Sequence, residues 1–339
     1  MKQLKLMNFR ASKFRVEILK KGQISLQFNW IFVFIVGAVI LMFFITIIKA
    51  QTGEADIEMA GTLMQNLDTI VKTSDPGDSN VKSEPIPGVT IKFVCESDIS
   101  FYDVRNGVRK DLPYDIMFSQ AELKGDKLMV WAENWEVPFK IAQFQYLTTN
   151  KALFMIVDDE KFARTLYNEL PSNISKKLIQ PSTPIDYSGY DYYKVIQFKG
   201  RENTKIPDFM NVLTIETTNL DSYGTLKFKD KGIEKTSQFL KKESLFGAIF
   251  SEDFTFYECT MSKAFDRLEI LMELNKRRIQ KLNDENFSTS CFYYSTISKF
   301  DNIIRDADLD KSGSIYQSQD SIASDNRKLM KGKSCPLIY

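Results

Sequence analysis

The stretch "QISLQFNWIFVFIVGAVILMFFITIIKA", residues 23–50, decides how the rest of the chain is read. From Trp30 to Ile48 it carries no charged residue, and Leu, Ile, Val, Met and Phe dominate. A helix of this length covers about 28 Å at roughly 1.5 Å per residue, close to the hydrocarbon thickness of a bilayer. A long helix in a soluble core normally keeps a polar face, and this one has none. A removable secretory signal has a shorter apolar region followed by a small-residue cleavage site. Ile45-Thr46-Ile47-Ile48-Lys49-Ala50 offers no such site. The pattern predicts a transmembrane helix over 23–50.

The flanks set its direction. Residues 1–22 carry Lys2, Lys5, Arg10, Lys13, Arg15, Lys20 and Lys21 against Glu17 alone, whereas Glu54, Asp56 and Glu58 follow Lys49 on the far side. This asymmetry keeps a basic leader, 1–22, in the cytoplasm and places the rest outside the cell membrane. The formal net charge is only +1. The basic cluster is therefore a topology signal, and no nucleic-acid partner is expected.

Lys21-Gly22-Gln23-Ile24-Ser25, followed directly by the apolar helix, resembles the class III signal peptide of archaeal type IV pilin-like proteins. The resemblance implies a cut between Gly22 and Gln23 that leaves the helix on the mature chain. Gln23 and Ser25 match the family pattern, and Gln27 stands where the family has a glutamate. It also implies pilin-like subunits or other membrane proteins as partners through the N-terminal helix. "KGQISLQFNWIFVFI", "LMVWAENWEVPFKIAQFQYLT", "LFGAIFSEDFTFYEC" and "KSCPLIY" together look like archaeal single-span membrane proteins. That similarity implies a shared architecture and brings no activity with it.

Hydrophobic residues make up 43% of the chain and charged residues 26%, as in ordinary globular proteins. Histidine is absent, which removes His-based triads, imidazole bases and His metal sites. Cys95, Cys259, Cys291 and Cys335 all lie beyond the span, where an oxidising compartment favours two disulfides. Four reduced, buried thiols are the competing reading. Sequons occur at Asn173-Ile174-Ser175 and Asn286-Phe287-Ser288.

The helix is expected to continue as a stalk over 51–72, where Ala60, Leu63, Met64, Leu67, Ile70 and Val71 recur at helical steps. "TSDPGDSNVKSEPIPG", residues 73–88, reads as a linker. A mixed α/β (or α+β) extracytoplasmic domain then spans 89–258. Strands are predicted at Val89–Cys95, Ile99–Val104, Ile116–Phe118, Lys127–Ala132, Phe139–Tyr146, Ala152–Val157, Tyr192–Phe198, Val212–Glu216, Gly224–Lys229 and Leu245–Phe250. Asn106-Gly107 marks a hairpin. Asp158 or Asp159 caps a helix carrying Phe162, Leu166 and Leu170, and a short helix is predicted over Ile233–Lys241. Residues 259–339 read as a helical C-terminal segment, with an apolar stripe from Met261 to Leu282 and further helices over Phe292–Ile304 and Ile322–Met330. If these three helices run up, down and up, Cys291 and Cys335 share one end. That arrangement favours Cys291–Cys335 and leaves Cys95–Cys259.

Three groups of residues carry candidate chemistry. Asp308, Asp310, Ser312 and Ser314 fall at the alternating ligand positions of an EF-hand-like loop, with Gly313 at the turn and Gln319 where a bidentate acid normally stands. Calcium is thus the one cofactor the sequence raises; a polar helix–helix connection is the plainer reading. Asp158 and Asp159 follow a strand, where α/β sites often sit. Trp131, Trp135, Tyr187, Tyr190, Tyr192 and Tyr193 offer an aromatic surface for glycans or peptides, or simply core. Walker A, Gly-x-Gly-x-x-Gly and Gly-x-Ser-x-Gly motifs are absent. The expectation is a single-pass, membrane-anchored, pilin-like or cell-surface structural or binding protein without catalysis. The alternative is a membrane-tethered extracytoplasmic enzyme with a carboxylate-based or calcium-dependent site.

Overall fold

The structure is a computed structural model that describes residues 30–47, 61–70, 73, 81–86, 88–96, 99–104, 108–203, 205–284, 291, 293–331 and 335–339. The chain divides into Met1–Met59 and Ala60–Tyr339. In the first unit, helix α1 (Trp30–Ile47) is 18 residues long and no part of it is buried. Its one hydroxyl, Thr46 Oγ1, donates to Met42 O at 2.8 Å. That bond satisfies the hydroxyl within the helix itself. The expected processing junction, Gly22, Gln23, Ser25 and Gln27, lies outside the described residues.

The second unit is a layered α/β domain with three sheets. Strand β9 (Ala152–Val157) is buried throughout. Ala152, Phe154 and Ile156 enter the main core, while Leu153, Met155 and Val157 pack on the opposite face. A strand covered on both sides needs no polar alternation, which is why its sequence is a continuous apolar run. It sits second in a six-stranded sheet ordered β10-β9-β11-β12-β13-β14. Here β10 is Lys176–Ile179, β11 Tyr192–Phe198, β12 Asn211–Thr217, β13 Tyr223–Asp230 and β14 Ile233–Leu240. The first four strands are parallel and the last two antiparallel.

A four-stranded sheet ordered β1-β7-β8-β5 faces the same core. It comprises β1 (Lys82–Pro85), β5 (Ile116–Phe118), β7 (Lys127–Glu136) and β8 (Lys140–Thr149). Trp131, Trp135, Phe144 and Tyr146 point into the main core, and Leu128, Val130 and Leu147 into a second one. That second core is closed by a sheet ordered β4-β3-β2-β6, formed by β2 (Thr90–Glu96), β3 (Ile99–Val104), β4 (Val108–Asp111) and β6 (Glu122–Lys124). Helix α2 (61–70) completes it with Leu63 and Leu67.

Two boundaries are corrected by this packing. Over 61–70, the expected stalk is docked on the domain, with Leu67 only 1% exposed. The expected linker contains β1, which pairs antiparallel with β7. Pro85 lies at the end of this edge strand, where its missing N–H costs no ladder bond. The Asn106-Gly107 turn is outside the described residues, but Val104 and Val108 pair on either side of it.

One pair of predicted elements is exchanged. The stretch Ile233–Lys241, read as helix, is strand β14 up to Leu240; Leu245–Phe250, read as strand, lies in helix α4 (Lys241–Phe250). The β13–β14 turn has Lys231 at φ 48° and Gly232 at φ 82°, the positive dihedrals a two-residue hairpin demands. Ile233 to Thr236 are exposed on this edge strand, so no apolar alternation announces it. Helix α4 is buried on every side from Ser244 to Phe250, and a short apolar run of that kind has no helical period to read. Gly247 lets the helix approach the other sheet: a Cβ there would lie 2.7 Å from the Phe118 ring.

Helix α3 (Phe162–Glu169) connects β9 to β10. The C-terminal segment is α5 (Phe254–Asp284), α6 (Tyr294–Arg305), a 3-10 turn at Leu309–Lys311, and α7 (Ser312–Lys331). The two disulfides are Cys95–Cys259, with Cα atoms 5.9 Å apart, and Cys291–Cys335, at 5.8 Å. This is the connectivity favoured above. The first ties β2 to α5, and the second ties the start of α6 to the chain beyond α7. The C-terminal residues are part of the fold. Ile338 is fully buried, its N–H donates to Asn326 Oδ1 at 2.8 Å, and Tyr293 OH donates to Pro336 O at 2.6 Å.

Candidate functional site

Asp158 emerges at the carboxyl end of β9 with its side chain 2% exposed. It accepts from Glu160 N–H at 2.9 Å, Arg164 Nε at 3.2 Å and Nη2 at 2.9 Å, and Gln180 Nε2 at 3.4 Å. The Arg164 guanidinium beside it holds its carboxyl below the usual range. A carboxylate so fully engaged anchors the β9–α3 corner and is poorly placed to move a proton. Asp159 Oδ1 accepts from Lys161 N–H at 3.0 Å and Ala163 N–H at 2.7 Å, which caps α3.

The aromatic residues divide between core and surface. Trp131 and Trp135 are buried, and Trp135 Nε1 donates to Leu240 O at 3.0 Å. Tyr192 packs edge-on against Phe154. On the outer face of the six-stranded sheet the Tyr187 ring lies tilted against Tyr193, 5.0 Å between centroids, and both meet Phe209 edge-on, at 5.9 Å and 6.2 Å. Tyr190 lies near the Lys177 ammonium.

The EF-hand-like residues form a helix cap. Asp308 Oδ1 accepts from Asp310 N–H at 3.2 Å. Ser312 is buried and donates to Leu309 O at 2.6 Å, and Ser314 donates to Asp306 Oδ2 at 2.6 Å. Helix α7 begins at Ser312, ten residues before the predicted start, so the four residues wind into a 3-10 turn and a first helical turn. Glu258 of α5 is brought toward Asp308 and Asp310, but takes the Ser237 hydroxyl. Among the described residues no cluster of three or more acids or cysteines is arranged to hold a metal.

A site that the residue patterns did not reveal lies at the opposite end of the same sheet. A cavity of about 130 Å³ is lined by Lys194 of β11, Asn211 of β12, Phe228, Lys235, Glu252 and Phe254. Lys194 is 1% exposed, and its Nζ donates to Ala248 O at 2.8 Å and Ser251 O at 2.6 Å. These carbonyls terminate α4, where a helix leaves acceptors unpaired and favours a cation. Burial nevertheless pushes the ammonium down to about 7. Glu252 accepts from Ala121 N–H at 3.3 Å and Asn211 Nδ2 at 3.4 Å, and burial raises its carboxyl. It also lines a second cavity of about 280 Å³ with Gln120 and Tyr192. A near-neutral amine and a raised carboxyl on one cavity are the ingredients of acid–base exchange or of ligand binding.

Comparison with protein-family models, with curated proteins and with solved structures gives no match. What stands is the molecule's own anatomy: one apolar helix near the N-terminus long enough to cross a membrane, and a mixed α/β unit with two disulfides. Together they suggest a membrane-anchored protein.

Proposed function

We propose that this chain is a single-pass, membrane-anchored surface protein whose disulfide-braced outer domain serves assembly or binding rather than catalysis. The observation that carries the reading is α1: an uncharged helix of 18 residues, none of it buried in the protein. An apolar surface of that length has no stable place in water and fits a bilayer. Disulfide pairing of all four cysteines supports an oxidising exterior. The Gly22–Gln23 junction supports pilin-like processing, with α1 as the contact between subunits.

Two measurements test this. Intact cells are treated with a membrane-impermeant amine reagent. Lys92 and Lys199, both exposed, are expected to react, while Lys2, Lys5, Lys20 and Lys21 stay protected. The reverse pattern would sink the topology. The mass of the mature N-terminus then separates the finer readings. A chain starting at Gln23 supports a pilin-like subunit, and one starting at Met1 reduces the segment to an uncleaved anchor.

The Lys194–Glu252 cavity favours a second reading, a membrane-tethered extracytoplasmic enzyme. Its test is the reactivity of Lys194 in the folded protein. Acylation at neutral pH faster than that of surface Lys199 would favour the enzyme; complete protection would remove the lysine as a nucleophile.

A further inference from the structure

We propose that Asn173 is a site of N-linked glycosylation, receiving an oligosaccharide from a lipid-phosphate-linked donor; this rests on the extracytoplasmic reading above. Asn173-Ile174-Ser175 has the acceptor pattern and lies in the turn between α3 and β10. The turn is pinned from within. Ile174 is 4% exposed in the main core, its N–H donates to Pro171 O at 3.4 Å, and Ser175 O accepts from Phe154 N–H at 3.0 Å. Lys176 Nζ holds the carbonyls of Tyr167 and Leu170 on the same corner. Burying Ile174 sends its neighbours outward: Asn173 is exposed and Ser175 half-buried.

Asn173 differs from the turn asparagines elsewhere in the domain. Asn150 Oδ1 accepts from Asp126 N–H, Asn203 Oδ1 from Lys205 N–H, and Asn219 Oδ1 from Asp221 N–H. Asn203 and Asn219 build their own turns, and Asn150 ties its turn to the neighbouring one at Asp126. Asn173 holds no backbone group; its oxygen accepts only the Ser172 hydroxyl, at 3.4 Å. Its Nδ2 and the Ser175 hydroxyl, the two groups an acceptor site needs, have no hydrogen-bond partner among the described residues. The site also precedes β10, an edge of the six-stranded sheet whose Leu178 is 37% exposed. A bulky polar glycan there would shield an edge strand from pairing with other chains.

In the transfer, Asn173 Nδ2 attacks C1 of the donor's first sugar. The N–C1 bond forms, the C1–O bond to phosphate breaks, the amide loses one proton, and the lipid phosphate leaves with the bonding electron pair.

The test is tandem mass spectrometry of tryptic peptides from the full chain, purified from the membranes of cells that make it, after the surface-labelling experiment above. The peptide from Thr165 to Lys176 is expected to carry a sugar increment at Asn173. The increment is lost in Asn173→Gln and in Ser175→Ala and kept in Ser175→Thr. An unmodified peptide from a protein whose Lys92 and Lys199 were labelled from outside would overturn the glycosylation and leave the surface reading intact. An unmodified peptide from a protein with those lysines protected would overturn both.

Discussion

Asp158 and Lys194 stand at opposite ends of the same six-stranded sheet, both almost fully buried, at 4% and 1% exposure. Their surroundings treat charge in opposite ways. Asp158 meets a guanidinium and a backbone N–H, so its ionised form is stabilised. Lys194 meets two carbonyl dipoles and the face of the Phe228 ring, with Glu252, Asp253 and Asp230 acting from farther off, and burial disfavours its charged form. Burial alone therefore does not decide what a charged residue does. The partner in contact decides, and dipoles offset less of the desolvation than a full opposite charge.

The largest effect that would sharpen this contrast is expected from Lys194→Ala. It opens a void and leaves the Ala248 and Ser251 carbonyls without their donor, at a cost of about 2–4 kcal/mol in urea unfolding. Lys194→Met keeps the volume and removes the buried charge, and a loss below about 1.5 kcal/mol is expected. Equal losses in the two variants would mean that the charge, not the packing, matters at this end.

The pH profile comes next. Lys194 has a folded value of about 7 against 10.5, so its contribution to stability is present above about pH 10.5 and is lost as pH falls through about 7. Glu243, in the first turn of α4, is raised by burial from 4.5 to about 7; its contribution is present below about pH 4.5 and is lost as pH rises through about 7. Both ends of one buried helix thus weigh against the fold near neutrality. Wild-type stability is expected to climb between pH 7 and 9, and Lys194→Met to flatten that climb. Glu243→Gln should flatten the fall between pH 5 and 7. A Lys194→Met profile that still climbs would break the comparison.

Asp158→Asn is expected to have a smaller effect, because Arg164 is 61% exposed at its side chain and water screens the pair. Asp158 is held below its ordinary value, so its contribution is present above about pH 4 and disappears as pH falls through the folded value. A thermal melt should show a modest loss at pH 7 that vanishes in acid. The smallest effect is expected from calcium: millimolar additions should leave the melting temperature of wild type and of Asp308→Asn/Asp310→Asn unchanged. A rise confined to wild type would restore the loop as a cation site.

Much of the fold is legible where one element carries its own signal. The apolar run of β9, the stripe of α5 and the capping Asp159 before α3 all appear where their patterns place them. The region from Ile233 to Phe250 reads backwards for a physical reason. β14 has an exposed edge, α4 is buried all round, and the signal that orders them is the Lys231-Gly232 turn. The Lys194 site is illegible in residue patterns because its contacts are main-chain oxygens 54 and 57 positions away. Side-chain spacing does not encode where a helix end will be delivered.

The tucked segment 335–338 has a consequence for biosynthesis. Cys335 and Ile338 complete a disulfide and the main core, yet they follow every described strand and helix of the domain. The domain therefore cannot close until this segment has left the ribosome. Folding is gated by its emergence, and a nascent chain stalled before it would present an open core to whatever machinery waits there.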